Sequence, residues 1–274
     1  MKLVDTDTVE TRTVDPMMLG NITYEQPLNE PVRLCLRLEH LFEQLRCHLK
    51  DPSTHASQMA MTTLLKILNV TERPDLKSKL SQSLNQQASV LAQLERVPQV
   101  DTEKLQRILG QLDQSIDFLH QLQGKVGDPL RGNPFLNQIR LHLGHPAGPC
   151  NFSTPAYALW LQQLDEKRMN DLFRWANELE PLASIVSLIL RLTRESAPTQ
   201  QAVATKGFFQ QSLDTHMPCQ MVRVTLPVKW GVYPEISVGK HRLAIRFLIL
   251  NPDNLAPPQQ WQDDVSFALS CCRV

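Results

Sequence analysis

The hydrophobic period changes once along this chain, near Ser196-Ala197-Pro198, and that change limits the folds open to it. Before this point leucines and isoleucines recur every three or four residues. After it apolar and polar residues alternate, and β-branched residues accumulate. The first pattern builds an apolar stripe on a helix, and the second builds one apolar face on a strand. The chain therefore reads as α+β, with a mostly α-helical N-terminal part and an antiparallel β domain at its C-terminal end.

The boundaries follow from local signals. Residues 1–20 are rich in Thr, Val and Asp without a sustained period and read as a disordered leader. Met17 and Met18 stand just before the first patterned segment as candidate starts. Asn21 to Leu28 reads as a short strand stopped by Pro27. A lone strand leaves its backbone groups unpaired, so this one is predicted to join the later sheet. Residues 29–198 form the expected helical domain, and 199–274 the β domain.

Asn29 is the expected cap of the first helix, with Pro31 in its first turn and Leu34, Leu38, Leu41, Leu45 and Leu49 on one stripe. A second helix is predicted over about Ser57 to Asn69. Two longer stripes follow, Leu76 to Leu94 and Leu105 to Leu119. Pro98 lies between them and Asp101 is placed to cap the second. Their short link predicts an antiparallel helical hairpin. Gly124 to Gly132 breaks the pattern, and Pro134 opens a short helix. Thr154 is the expected cap of a helix carrying Tyr157 and Trp160. Two more are expected at about Glu166 to Glu180 and Leu182 to Glu195, the last apolar almost all round and so central.

Strands are predicted over Lys206 to Leu213, Gln220 to Leu226, Ser237 to Leu250 and Val265 to Cys272, with a Pro- and Asn-rich loop from Asn251 to Gln260. Tyr233-Pro234-Glu235-Ile236 reads as a turn feeding the third of these. Period two then puts His241, Leu243, Ile245, Phe247 and Ile249 on one face, and Lys240, Arg242, Ala244 and Arg246 on the other. Three cations would form a rail about 20 Å long, with room over Ala244. Such a rail suits an anionic or extended partner. The same pattern also describes an ordinary solvated sheet face, or cations guarding a strand edge.

Lys+Arg and Asp+Glu each number 28, so formal net charge is zero. That argues against a bulk nucleic-acid binder while leaving a local basic groove open. Six scattered cysteines form no disulfide framework and fit a reducing cytoplasm. The opening residues have no apolar signal region, and Leu182 to Leu190 is too short to span a membrane. His142, His145 and Cys150 match no metal-site spacing. Cys271 and Cys272 should point to opposite faces, one of them buried. There is no Gly-rich phosphate loop and no nucleophile elbow. No catalytic residue, metal or cofactor is assigned, and the chain reads as a non-enzyme. Arg33 and Arg37 lie one helical turn apart. They read either as a salt-bridged exposed face or, with Arg73, as further cations for the rail.

An ordered set of segments resembles the ZapD family of bacterial cell-division factors. It comprises Tyr24-Glu25-Gln26-Pro27-Leu28-Asn29-Glu30, Arg37-Leu38-Glu39-His40-Leu41, Gly148-Pro149-Cys150-Asn151-Phe152, Trp160 and Ser196-Ala197-Pro198. It continues with Gly207-Phe208-Phe209-Gln210, Tyr233-Pro234-Glu235-Ile236, Lys240 to Phe247 and Cys271-Cys272. The resemblance implies a cytoplasmic homodimer at the mid-cell division ring that binds the C-terminal tail of the tubulin-like FtsZ and bundles its filaments. It implies a basic tail-binding pocket, to which Arg73, Lys240, Arg242, Arg246 and Arg37 correspond. Pro134 and Ala158 depart from the family pattern, at positions that can carry a basic residue and a histidine. The alternative of another class is a single-stranded nucleic-acid binder, using the basic strand beside Tyr233, Phe247 and Trp230.

Overall fold

The computed structural model describes residues 20–96, 100–214, 218–251 and 257–273. The expected leader up to residue 19, Pro98, and residues 252–256 of the Asn251 to Gln260 loop lie outside them. The described residues form two compact units, one of Gly20–Leu28 with Ala197–Arg273, the other Asn29–Ser196.

In the helical unit, α1 (Glu30–His48) starts where Asn29 accepts a hydrogen bond from the Val32 N–H at 2.9 Å. Helix α2 (Thr54–Thr71) begins three residues earlier than its apolar stripe indicates, because Ser53 accepts from the Ala56 N–H at 3.2 Å. Helices α3 (Leu76–Gln93) and α4 (Thr102–Gln121) form the antiparallel hairpin. Lys77 at the start of α3 donates to the Leu122 carbonyl beyond α4 at 3.0 Å, and Gln106 early in α4 donates to Glu95 beyond α3 at 2.8 Å. The one-turn α5 (Asp128–Arg131) falls inside the expected break, and α6 spans Pro134–His142.

Helix α7 (Pro155–Leu161) follows Thr154, whose hydroxyl donates to the Cys150 carbonyl at 2.9 Å instead of capping the helix. Helix α8 (Asp165–Asn177) ends three residues before Glu180, since Pro181 opens α9 (Glu180–Glu195) rather than closing α8. Helix α9 buries Leu182, Ile185, Val186, Ile189 and Leu190, while Ser184, Ser187 and Arg191 remain exposed, so it is central along one broad face only. It packs on α1 and α3, where buried Gln87 donates to the Ile189 carbonyl at 3.0 Å and the Thr193 hydroxyl at 3.2 Å. Each fully buried leucine of this core contributes about 1.5–3 kcal/mol relative to exposure. No helix among the described residues is long and apolar enough to cross a membrane.

The β unit holds two antiparallel sheets. One has the order β1-β4-β7-β2, from β1 (Asn21–Pro27), β4 (Met221–Pro227), β7 (Val265–Cys272) and β2 (Gln200–Ala204). The first strand does join the later sheet, in register Asn21↔Pro227 to Pro27↔Met221, and the Gly20 carbonyl continues the pairing by accepting from Val228. The other sheet has the order β3-β6-β5, from β3 (Phe208–Ser212), β6 (Arg242–Ile249) and β5 (Val232–Val238). Val224, Leu226, Leu243, Ile245, Phe247 and Phe267 fill the common core, with Phe247 and Phe267 ring centroids 5.1 Å apart.

Two sequence expectations fail here. Ser237 to Leu250 is not one strand. The chain reverses at Gly239-Lys240-His241, where the Gly239 N–H donates to the Arg242 carbonyl at 2.8 Å, and Tyr233-Pro234-Glu235-Ile236 is strand β5 rather than a turn. Pro234 is tolerated because β5 is an edge strand, with a ladder partner on one side only. The polar strand β2 was not foreseen. It is the outer strand of its sheet, with Val203 53% exposed.

Candidate functional site

The β3-β6-β5 sheet turns one face to the core and one to solvent, and its registers fix which side chains stand together on the solvent side. Phe208, Arg246 and Glu235 form one row across the three strands, and Gln210, Ala244 and Ser237 form the next. Ser212 and Arg242 form the last row, beside the Gly239 turn. Ala244 is half-buried and the arginines on either side of it are exposed, so the middle of the face is a shallow saddle. Arg242 and Arg246 lie about 13 Å apart along β6, at 3.3 Å per residue.

The rail differs from its sequence outline. Lys240 and His241 belong to the turn, not to β6, so Lys240 stands beyond the end of the strand. Arg246 pairs with Glu235 at 2.6 Å. Arg242 and Lys240 are exposed and carry no ion pair among the described residues. Leu243, Ile245 and Phe247 are fully buried, which removes Phe247 from any stacking surface. Sequence reasoning missed Glu235 because it placed a turn there, and missed Ser237 as a neighbour of Ala244 because it ran Ser237 and Ala244 along one strand instead of across two. It missed the exposed Phe208 because a residue's partner across a ladder is set by register.

The other two expected cations are in the helical unit. Arg73 donates to Glu30 at 2.9 Å and to Asp75 at 3.3 Å, while Arg33 holds the other oxygen of Glu30 at 2.9 Å. The hydrogen bond from Arg73, then that from Arg33, holds the Glu30 carboxyl below the usual carboxylate range. Asp75 is held low by Lys79 and then by Arg73, and Arg73 is raised in turn by Glu30 and Asp75. Arg37 is exposed without an ion pair among the described residues. Its neighbour Glu39 is engaged by Arg194 at 2.6 and 2.7 Å. Arg33 thus follows the salt-bridged reading, Arg73 is a tethered cation, and Arg37 is a free one.

His142 and His145 meet edge to face with centroids 5.1 Å apart, and Cys150 contacts loop carbonyls at 3.6 and 3.9 Å. Among the described residues, no three His, Cys, Asp or Glu side chains gather to hold a metal.

The helical unit with its long hairpin and the two-sheet β unit, with exposed cations on the solvent face of one sheet, define an α+β protein. The family model of ZapD, described as a cell division protein, matches residues 36–246. Two relatives, each named cell division protein ZapD, come from Coxiella burnetii strains RSA 331 / Henzerling II and RSA 493 / Nine Mile phase I. Each is 56% identical over 258 residues, covering 94% of this chain and 100% of the relative. The chain belongs to the ZapD family.

Proposed function

We propose that this protein is a non-enzymatic division factor that binds the C-terminal tail of FtsZ through the basic solvent face of β3-β6-β5. As a homodimer in the cytoplasm at the division ring, it crosslinks FtsZ filaments. Exposed Arg242, without an ion pair among the described residues and beside the open saddle over Ala244, carries the reading, because its guanidinium is placed to take a carboxylate bidentately. Lys240 adds a mobile point charge at the turn, and Arg246 a second fork once Glu235 lets go. Arg37 and Arg73 are further cationic contacts proposed on the helical unit. A tail at the end of a flexible linker binds each subunit weakly. Two sites per dimer and many tails per filament convert that into avidity and bundling.

Fluorescence anisotropy of a labelled FtsZ C-terminal tail peptide, titrated at low and high salt, tests this. Saturable binding that weakens with salt and vanishes in Arg242→Glu is expected. Binding that persists unchanged in that variant would remove the site assignment. Single-stranded nucleic-acid binding has exposed Phe208 beside Arg246 in its favour, but buried Phe247 and zero net charge against it. A gel shift with an oligonucleotide on the same sample separates the two.

A further inference from the structure

The sheet that carries the cations has two outer strands, β5 and β3, and they present different edges. In β5 the Gly239 N–H bonds the Arg242 carbonyl, and the Leu250 N–H bonds the Gly231 carbonyl. In the antiparallel alternation this turns the backbone groups of Glu235 and Ser237 toward β6, and those of Pro234 and Ile236 outward. Pro234 has no N–H, so the outer edge of β5 is interrupted at that point.

Strand β3 has no such break. The Phe247 N–H donates to the Gly207 carbonyl at 2.8 Å, and the Leu213 N–H to the His241 carbonyl at 2.9 Å. Phe209 and Gln211 therefore turn their backbone groups to β6, while Phe208, Gln210 and Ser212 turn theirs away from the sheet. The Phe208 N–H is taken by the Thr205 carbonyl in the turn from β2, at 3.0 Å. The N–H and carbonyl groups of Gln210 and Ser212 have no hydrogen-bond partner among the described residues. No proline and no charged side chain in β3 guards this edge.

We propose that the FtsZ tail adds to the open edge of β3 as an extended strand, a mode of binding that rests on the tail-binding function proposed above. The outward groups of Gln210 and Ser212 supply the main-chain hydrogen bonds, and the solvent face selects the side chains. A residue placed opposite Ser212 falls in the row of Ser212 and Arg242, about 9–10 Å from Arg242 across two ladder spacings. Ser212 is small and Arg242 is exposed, so the guanidinium can lean across Ser212 to a carboxylate at that place. The next residue on the same face stands opposite Gln210, within diagonal reach of the exposed Phe208 ring, and suits an apolar side chain. The turn from β2 closes the edge at Phe208, so the added strand is short. The site thus takes an extended peptide with a carboxylate and an apolar residue two positions apart.

The test is anisotropy of the labelled FtsZ C-terminal tail peptide on full-chain variants. Gln210→Pro removes one outward N–H, at an edge position of the kind Pro234 already occupies in β5, and should weaken binding about tenfold or more. Gln210→Ala keeps the N–H and should bind as wild type does. Circular dichroism checks that the proline variant folds. A second reading leaves the protein untouched: N-methylation of the tail peptide at alternate residues should block binding, and at the intervening residues should not. Binding that Arg242→Glu abolishes, but that Gln210→Pro and every N-methylated peptide preserve, would overturn strand addition and leave the tail site standing. No binding of the peptide to the wild-type chain would overturn both.

Discussion

Glu235 and Arg246 face each other across the β5-β6 ladder and close an ion pair at 2.6 Å on the solvent side of the sheet. Both are about half exposed, so the pair itself adds only about 0–1 kcal/mol to stability. Its consequence is for binding, since a carboxylate approaching Arg246 must displace Glu235. Replacing Glu235 with Gln should therefore raise affinity for an acidic tail by up to about fivefold, the equivalent of that coupling. Anisotropy titration of Glu235→Gln beside wild type measures it. Equal or weaker binding would show that Arg246 takes no part.

The same pair marks where the sequence stops being readable. Asn29, Pro31 and Asp101 act within three residues of themselves, so the starts of α1 and α4 were visible. Pro234 misled because a proline argues against a strand unless the strand is at an edge, and edge position is a property of the whole sheet. Once β5 was lost, so was the turn at Gly239-Lys240, and Lys240 was carried onto a strand it does not occupy. The cations of the site were legible as residues but not as partners. Arg73 finds Glu30 across 43 positions, and Arg194 finds Glu39 across 155. Which arginine is left free depends on those distant pairings.

Gly207 should not accept a side chain. It follows Lys206 in a two-residue turn between β2 and β3, with φ of 49° at Lys206 and 69° at Gly207. A Cβ there would collide with the Trp261 carbonyl oxygen, and its carbonyl carbon lies 3.1 Å away. Since the Gly207 carbonyl also accepts from Phe247 at 2.8 Å, the clash is transmitted to β6. Gly207→Ala should destabilise the β unit by about 1–3 kcal/mol. Amide hydrogen exchange reads this out as faster exchange in β3 and β6, with α2 and α9 unchanged. An unaltered exchange pattern would contradict the argument.

Arg168 on α8 is 2% exposed and is spent entirely on structure. It donates to the Pro52 carbonyl at 2.9 Å, Ser57 at 3.3 Å and Asp165 at 2.7 Å, and also to the Gln163 carbonyl. These bonds fasten α8 to the start of α2 and to the α7-α8 link. Truncation opens a cavity and strands two carbonyls, so Arg168→Ala should cost roughly 3–5 kcal/mol. Arg168→Lys should recover only part, lacking the planar fork. The urea midpoint followed by helical circular dichroism is the check. A midpoint that holds in the alanine variant would mean the guanidinium contributes nothing net.

The helical unit should weaken in mild acid. Arg140 holds Glu72 low, and the Lys125 N–H followed by Arg131 holds Asp128 low, as Arg73 and Lys79 do for Glu30 and Asp75. Each carboxyl is more acidic folded than unfolded. Its contribution is complete above the unfolded value, near pH 4 to 4.5 for ordinary carboxylates. As pH falls below that range the unfolded chain takes up protons first, and stability declines until the folded groups are protonated too. Thermal melts at helical wavelengths should therefore be level above about pH 5.5 and fall progressively below it. Because these groups are open to solvent, added salt should flatten the fall. The Glu30→Gln, Asp75→Asn double variant should start from a lower melting temperature at neutral pH and lose less on acidification. An acid slope equal to wild type in that variant would assign the transition to other carboxylates.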